Sequence, residues 1–262
     1  MGSLRRKTKI QPLADKNGFD VDILVVLGEF YRWVETGGVK PKDALDKLEN
    51  VVSENSVYQR IGVEQDSPAI MLEYSDNITV ELIPAYVDQI GEYSDGTQIP
   101  PKGRGYWIPR NNKWIIADYD YDAEYVTKQN KLCDEMLVPA IKMLKSAKRH
   151  LFSGMKSYHL EVLTSSLVPA IVEYFQQRNQ SISYPSLIYS FFLCAKDNVL
   201  AFKKLPGSKS SILDADLTQD RRRELADIFL KIAAYCEKIL NLDGKEGIEA
   251  WQKVFGEPFP KG

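Results

Sequence analysis

The hydrophobic period of this chain changes once, near residue 118, and that switch restricts its possible folds more than any motif does. Upstream, short runs of alternating or continuous apolar character dominate: "DVDILVVL", "VYQRIGVEQ", "AIMLEY" and "ITVELIPAYVD". They are separated by turn formers such as Asp66, Ser67, Pro68, Asp76 and Asn77, and read as strands of a meander that pairs with the first run. One helical stretch interrupts them, from Pro41 to about Asn55, with Leu45, Leu48, Val51 and Val52 on one face. The Gly- and Pro-rich segment from Gly91 to Asn112 reads as a surface excursion before "KWIIADY". From Tyr121 onward, apolar residues recur three and four apart in "LCDEMLVPAIKMLKSAKRHL", "SYHLEVLTSSLVPAIVEYFQQ", "YPSLIYSFFLCAKDNVLAF" and "RRRELADIFLKIAAYCEKILNL". Pro139 and Pro169 fall within two of these helices, where a missing N–H is expected to kink them. The pattern predicts an α+β chain, with a β-sheet lobe over 1–118 followed by a helical lobe over 119–262. A cleft between two such lobes is where ligands commonly bind.

Composition narrows the function. At 262 residues with 27% charged side chains the chain is of ordinary globular make-up, and its formal net charge of -2 provides no basic field for a long nucleic acid. Any phosphate binding must therefore be local, which favours small nucleotides. Cys133, Cys194 and Cys236 are odd in number and widely spaced, which argues against a disulfide framework or a zinc site. With only His150 and His159, histidine-based catalysis has little material. No membrane-length apolar run or signal-peptide pattern is present, and a cytoplasmic location is the expectation, with no membrane partner.

The chemistry gathers at "GFDVDILVVL". Strand side chains alternate, so Asp20 and Asp22 point the same way at the mouth of a run that is apolar on both faces, as in a covered central strand. Two adjacent carboxylates repel unless a cation stands between them, although an exposed strand end with two solvated acids fits the same pattern. A third acid, Glu81 in "ITVELIPAY", lies on the face opposite Val80 and Leu82, and Pro84 is expected to halt the ladder just beyond it. Gly2 and Ser3 in "GSLRRKT" form a turn whose N–H groups can approach phosphate oxygens, with Arg5, Arg6 and Lys7 beside it. Tyr106 and Trp107 can stack on a base, but aromatic side chains in a strand-like run more often belong to a core.

Gly2-Ser3, then Asp20-Val21-Asp22, then Glu81 followed by Leu82-Ile83-Pro84-Ala85, resembles the signature of the DNA polymerase beta-like nucleotidyltransferase superfamily. "LVPAIKMLKSAKR", "SYHLEVL", "LPGSKSSILDADLTQDRR" and the closing "GIEAWQKVFGEPFP" resemble, more narrowly, the cGAS/DncV-like nucleotidyltransferases of bacterial antiphage signalling, the CD-NTases. The resemblance implies a nucleotidyltransferase-type mixed β-sheet lobe, a helical lobe and an active site in the cleft between them. It implies synthesis of cyclic or linear oligonucleotide second messengers from NTPs, with release of pyrophosphate, in antiphage defence. Asp20, Asp22 and Glu81 would be the catalytic, metal-binding acids for Mg2+ or Mn2+, two ions about 3.5 to 4 Å apart clamping the attacking and leaving oxygens. Gly2 and Ser3 would hold the donor triphosphate, and Lys145 and Ser157 match positions that contact nucleotide phosphates, with Lys142 one helical turn from Lys145. Expected partners are NTPs and regulatory or effector proteins of a defence operon, without long nucleic acid.

Each carry-over has a plainer alternative. Lys142, Lys145, Lys148 and Arg149 read equally as one solvated basic face, and Ser157 as a helix N-cap. Asp214 and Asp216 are not expected to ligate metal. Relatives mostly carry aspartate where this chain has Glu81, and they place a helical segment before the Gly-Ser turn, so a frayed turn and exposed apolar surface are expected here. Two other functions remain open: a template-independent RNA-end nucleotidyltransferase, and a nucleotide-binding protein impaired in catalysis.

Overall fold

A computed structural model of the chain describes residues 2–10, 19–66, 68–74, 78–87, 91–92, 98–99, 105–201, 214 and 216–256. The chain divides into two compact units: residues 1–6 with 11–123, and residues 7–10 with 124–262. The division thus falls five residues beyond the sequence-based boundary at 118, and a four-residue strap near the start belongs to the second unit.

The first unit opens with a single helical turn, α1 (Gly2–Arg5), followed by β1 (Phe19–Glu29), a π-helical segment (Tyr31–Thr36), α2 (Pro41–Ser53) and α3 (Ser56–Ile61). Then come β2 (Val63–Asp66), β3 (Ala69–Glu73), β4 (Ile78–Val87), the two-residue strands β5 (Gly91–Glu92) and β6 (Gln98–Ile99), and β7 (Tyr106–Arg110) and β8 (Lys113–Ala117). β2, β3 and β4 form the expected antiparallel meander, β4 also pairs antiparallel with β7 at Tyr86↔Trp107, and β7 with β8. β1 runs parallel to β4 from Phe19↔Ile78 to Glu29↔Val87, with a bulge between Val26 and Gly28. The sheet is therefore mixed.

Four local readings change. "VYQRI" is helical in α3, because the Asn55 side chain accepts a 2.9 Å hydrogen bond from the Val57 N–H and caps the turn, overriding the β-branched and aromatic residues behind it. "YWIPR" is strand β7, paired with β8 across Asn111-Asn112, both at positive φ (49° and 56°) as a type I′ hairpin requires. Pro84 ends only one ladder: β3 pairing stops at Leu82, whereas the β1 ladder runs through Val25↔Pro84. And β1 is not covered on both faces. It pairs with β4 alone among the described residues, and Ile23 and Val26 are 42% and 49% exposed.

α2 covers one sheet face. Leu45, Leu48 and Val52 pack with Ile70, Leu72 and Leu82, while Phe30 stacks on Trp107 at 4.1 Å and Ala44 and Tyr86 join them. Trp107 therefore serves the core. The opposite face carries Leu24, Ile83, Ala85 and Ile108, packed with Tyr106 and Tyr119.

α4 (Tyr119–Leu132) contains the boundary between the units. The second unit continues with α5 (Leu137–Leu151), α6 (Ser157–Gln176), α7 (Tyr184–Asn198), α8 (Gln219–Ile239) and α9 (Gly244–Phe255) around Leu144, Leu160, Leu163, Phe191, Phe192 and Phe229. Pro139 lies in the first turn of α5, where its N–H would have no helical partner, so it imposes no interior kink; Pro169 is interior to α6. Among the described residues no helix is long and apolar enough to cross a membrane.

Candidate active site

The ladder between β1 and β4 sets the acids. Parallel register pairs Asp22 with Glu81 and Asp20 with Thr79. Residues in register share a face, and positions two apart on one strand do too, so Asp20, Asp22 and Glu81 lie side by side on the face opposite α2. The electrostatics agree with that placement. Burial raises the Glu81 carboxyl above the usual carboxylate range, and the charges of Asp22, Asp20 and then Asp66, at the end of β2, raise it further.

The glycine of the Gly-Ser pair meets this cluster directly. Gly2 has φ +64°, and a Cβ there would collide with the Asp22 carboxylate. Only glycine suits both the backbone conformation and the close approach. The pair opens α1 instead of an isolated turn, with Arg6 N–H reaching Gly2 O at 3.4 Å. α1 is tied down by Arg5, whose guanidinium lies 2.6 Å from Asp120, while Tyr106 O–H donates to the other Asp120 oxygen at 2.9 Å. Tyr106 is thereby a structural partner. Tyr119, beside Asp120, has its phenol pushed up to about 12, chiefly by burial and then by Asp22 and Asp122, with Arg110 and Arg6 opposing.

The helical candidates divide. Lys145 is buried: its ammonium lies 2.5 Å from Glu161 and donates to Thr8 O at 3.0 Å. It is therefore not part of a solvated basic face. Lys142 and Ser157 are exposed, and Ser157 is the first residue of α6, with Lys156 at the cap position. Asp214 pairs with buried Arg222 at 2.8 Å, and Asp216 lies 3.1 Å from Lys156, so both acids have structural partners. "EPFP" lies outside the described residues.

Three signals lay beyond reach of the sequence. Asp66 read as a turn residue, while Tyr119 only closed the run "KWIIADY" and Thr8 the run "GSLRRKT", neither with a role of its own. Only the "DYD" after β8, an aromatic ring between acids at a strand end, hinted at one of them.

The donor set suits a hard divalent ion, since all three acids offer oxygen and their mutual repulsion is what a cation would relieve. Among the described residues no group of three His, Cys, Asp or Glu side chains is drawn together tightly enough to hold an ion unaided. Magnesium seldom requires that: it retains waters and is bound through one or two carboxylates together with substrate phosphates. The acids fit such a shared site.

A parallel β1–β4 pair with this acid trio, backed by a helix on the other face, defines a nucleotidyltransferase-type sheet, and solved structures share the fold. Escherichia coli MS115-1 CdnC, solved with ATP, superposes with a TM-score of 0.67 at 14% identity, covering 99% of this chain and 82% of that one. The same protein in a complex with HORMA-deltaN gives 0.67 at 13% identity, again covering 99% and 82%. Vibrio cholerae DncV, a cyclic AMP-GMP synthase, gives 0.69 at 12% identity, covering 99% and 68%. A probable cyclic nucleotide synthase of Bacillus cereus is 25% identical over 292 residues, spanning 99% of this chain and 81% of the relative. The model of the Second Messenger Oligonucleotide or Dinucleotide Synthetase domain matches residues 1–131, half of the 262-residue chain. The chain belongs to that family and is a cyclic oligonucleotide synthase of the CD-NTase type.

Proposed function

We propose that this synthase joins NTPs in a metal-dependent reaction, with Asp20, Asp22 and Glu81 as its metal-binding acids. The observation that carries the reading is the Asp22↔Glu81 register, with Asp20 two positions away on the same face. Mg2+ or Mn2+ held there would supply Lewis-acid stabilisation of the charge that builds on the phosphoryl oxygens and would favour deprotonation of the attacking hydroxyl. The chain's own groups do the rest. Asp20 and Asp22 bring negative charge to the strand mouth, Gly2 and Ser3 offer N–H and hydroxyl donors to the donor triphosphate, and Glu81, with its raised carboxyl, is the acid most changed by a neighbouring cation. Lys142 and Ser157, exposed on the helical unit, and the buried Lys145 are the other candidates for phosphate contact.

The family membership supports a place in antiphage signalling, with the cytoplasm as the proposed location, and the CdnC–HORMA complex supports a regulatory protein partner. The decisive experiment incubates the protein with all four NTPs and Mg2+ or Mn2+, and resolves phosphatase-resistant products by mass spectrometry. Product that disappears with chelator and with Asp20→Asn/Asp22→Asn is the expected result. Nucleotide binding without any product would instead favour the catalytically silent alternative.

A further inference from the structure

Six residues after Gly2 the chain is gripped a second time. Between α1 and that grip, Lys7 takes φ +60°, a left-handed conformation uncommon for a residue with a side chain and held only when its neighbours are fixed. Thr8, next in sequence, has no exposed surface. Its hydroxyl donates to Glu161 Oε2 at 2.9 Å, and its carbonyl accepts from Lys145 Nζ at 3.0 Å. Lys145 Nζ is 2.5 Å from the other oxygen of Glu161, and these two side chains are 6% and 2% exposed. One threonine thus meets both members of a buried ion pair: its hydroxyl donates to the anion and also accepts from the Lys145 ammonium at 3.5 Å, which its carbonyl holds as well. A buried pair is costly unless its remaining hydrogen-bonding positions are met, and Thr8 meets one on each partner.

We propose that Thr8, Lys145 and Glu161 form a positioning clamp for the Gly2–Ser3 backbone, in which Lys145 anchors the strap. The mechanism is restriction of the chain. A single helical turn such as α1 is unstable alone, because its few hydrogen bonds do not offset the ordering of its residues. The Arg5–Asp120 ion pair holds it on one side and the Thr8 clamp on the other, leaving Arg6 and Lys7 between the two fixed points. Donors that are ordered before the ligand arrives bind it without a further loss of conformational entropy. This inference rests on the reading of Gly2 and Ser3 as the triphosphate-holding pair.

The test uses the full chain with Thr8→Val and Thr8→Ser. Valine keeps the shape and the backbone carbonyl but removes the donor to Glu161, whereas serine restores it. In the nucleotide-free protein, amide hydrogen exchange over residues 2–10 should quicken about tenfold in Thr8→Val and return towards wild type in Thr8→Ser. With NTP, the apparent KM should rise about fivefold in Thr8→Val while kcat stays within about twofold, since ground-state ordering is what has been lost. Should Thr8→Val lower Tm so far that the comparison fails, Lys145→Met/Glu161→Leu removes both charges together and leaves no unpaired ion. That variant should also speed exchange over residues 2–10. Wild-type exchange there with weakened nucleotide binding would make Lys145 a phosphate ligand and overturn the clamp, as would unchanged exchange and KM in Thr8→Val. If the wild type neither binds nor joins NTPs, the functional reading falls, and the exchange measurement still decides the clamp.

Discussion

Asp22 is the residue on which most of the site converges: it faces Glu81 in register, raises the Glu81 carboxyl and the Tyr119 phenol, and lies against Gly2. An acid whose folded-state pKa is raised keeps its proton in the fold after the unfolded chain has released it. The folded state is then favoured at low pH and loses that advantage as pH climbs from the unfolded carboxylate value through the folded one. Asp22→Asn removes the largest charge contribution at Glu81, so Tm should fall less on going from about pH 4 to about pH 7 than in wild type. Thermal scans across that range will read the difference, and added Mg2+ should narrow the gap by stabilising wild type more. Turnover should be abolished in the same variant. A Tm well below wild type at every pH would instead make the pair structural. The acids were legible in the sequence because strand alternation is a local rule that depends on nothing distant. The partners of Lys145 were not: Thr8 lies 137 positions away and Glu161 on another helix, and a basic residue at helical spacing looks solvated until its surroundings are known.

Elements were legible where period and caps agreed, and were misread where they competed. α2 shows agreement at Leu45, Leu48 and Val52, which are buried at helical spacing, but Val51, read onto the same face, is 58% exposed because it lies to the side of that stripe. Leu48→Ala should therefore cost about 2–5 kcal/mol, and Val51→Ala should fall within about 0.5 kcal/mol of wild type, measured by urea unfolding. Equal effects would mean that α2 presents a different face to the sheet. α3 shows the competition, since "VYQRI" has strand-forming side chains but a capped helical start at Asn55. The exposure of Ile23 and Val26 has a related origin. An apolar run shows that a strand sits in a sheet, but not that both its edges are paired or both its faces covered, because that depends on elements elsewhere in the chain.

For the whole molecule, a formal net charge of -2 favours small nucleotides over long polyanions as ligands. Titration of fluorescein-labelled duplex DNA or RNA at low salt should show no saturable binding, while NTP binding persists through about 200 mM salt; tight, steeply salt-dependent duplex binding would reverse the assignment. The two-part architecture was legible from the change of period, but the membership of residues 7–10 was not, since four polar and apolar residues near a chain start carry no periodic signal. That short strap also bears on how such a protein can diversify. A recombination event joining the sheet half of one relative to the helical half of another at residue 118 or 123 would bring in Lys145 and Glu161 with the new half while retaining the old half's residue 8. Where the two parents differ at that position, the hybrid inherits an ion pair whose third member was encoded on the other side of the crossover. The two halves are thus constrained to change together, and lineages that exchange them should do so as whole genes, or carry a matching change at the codon for residue 8.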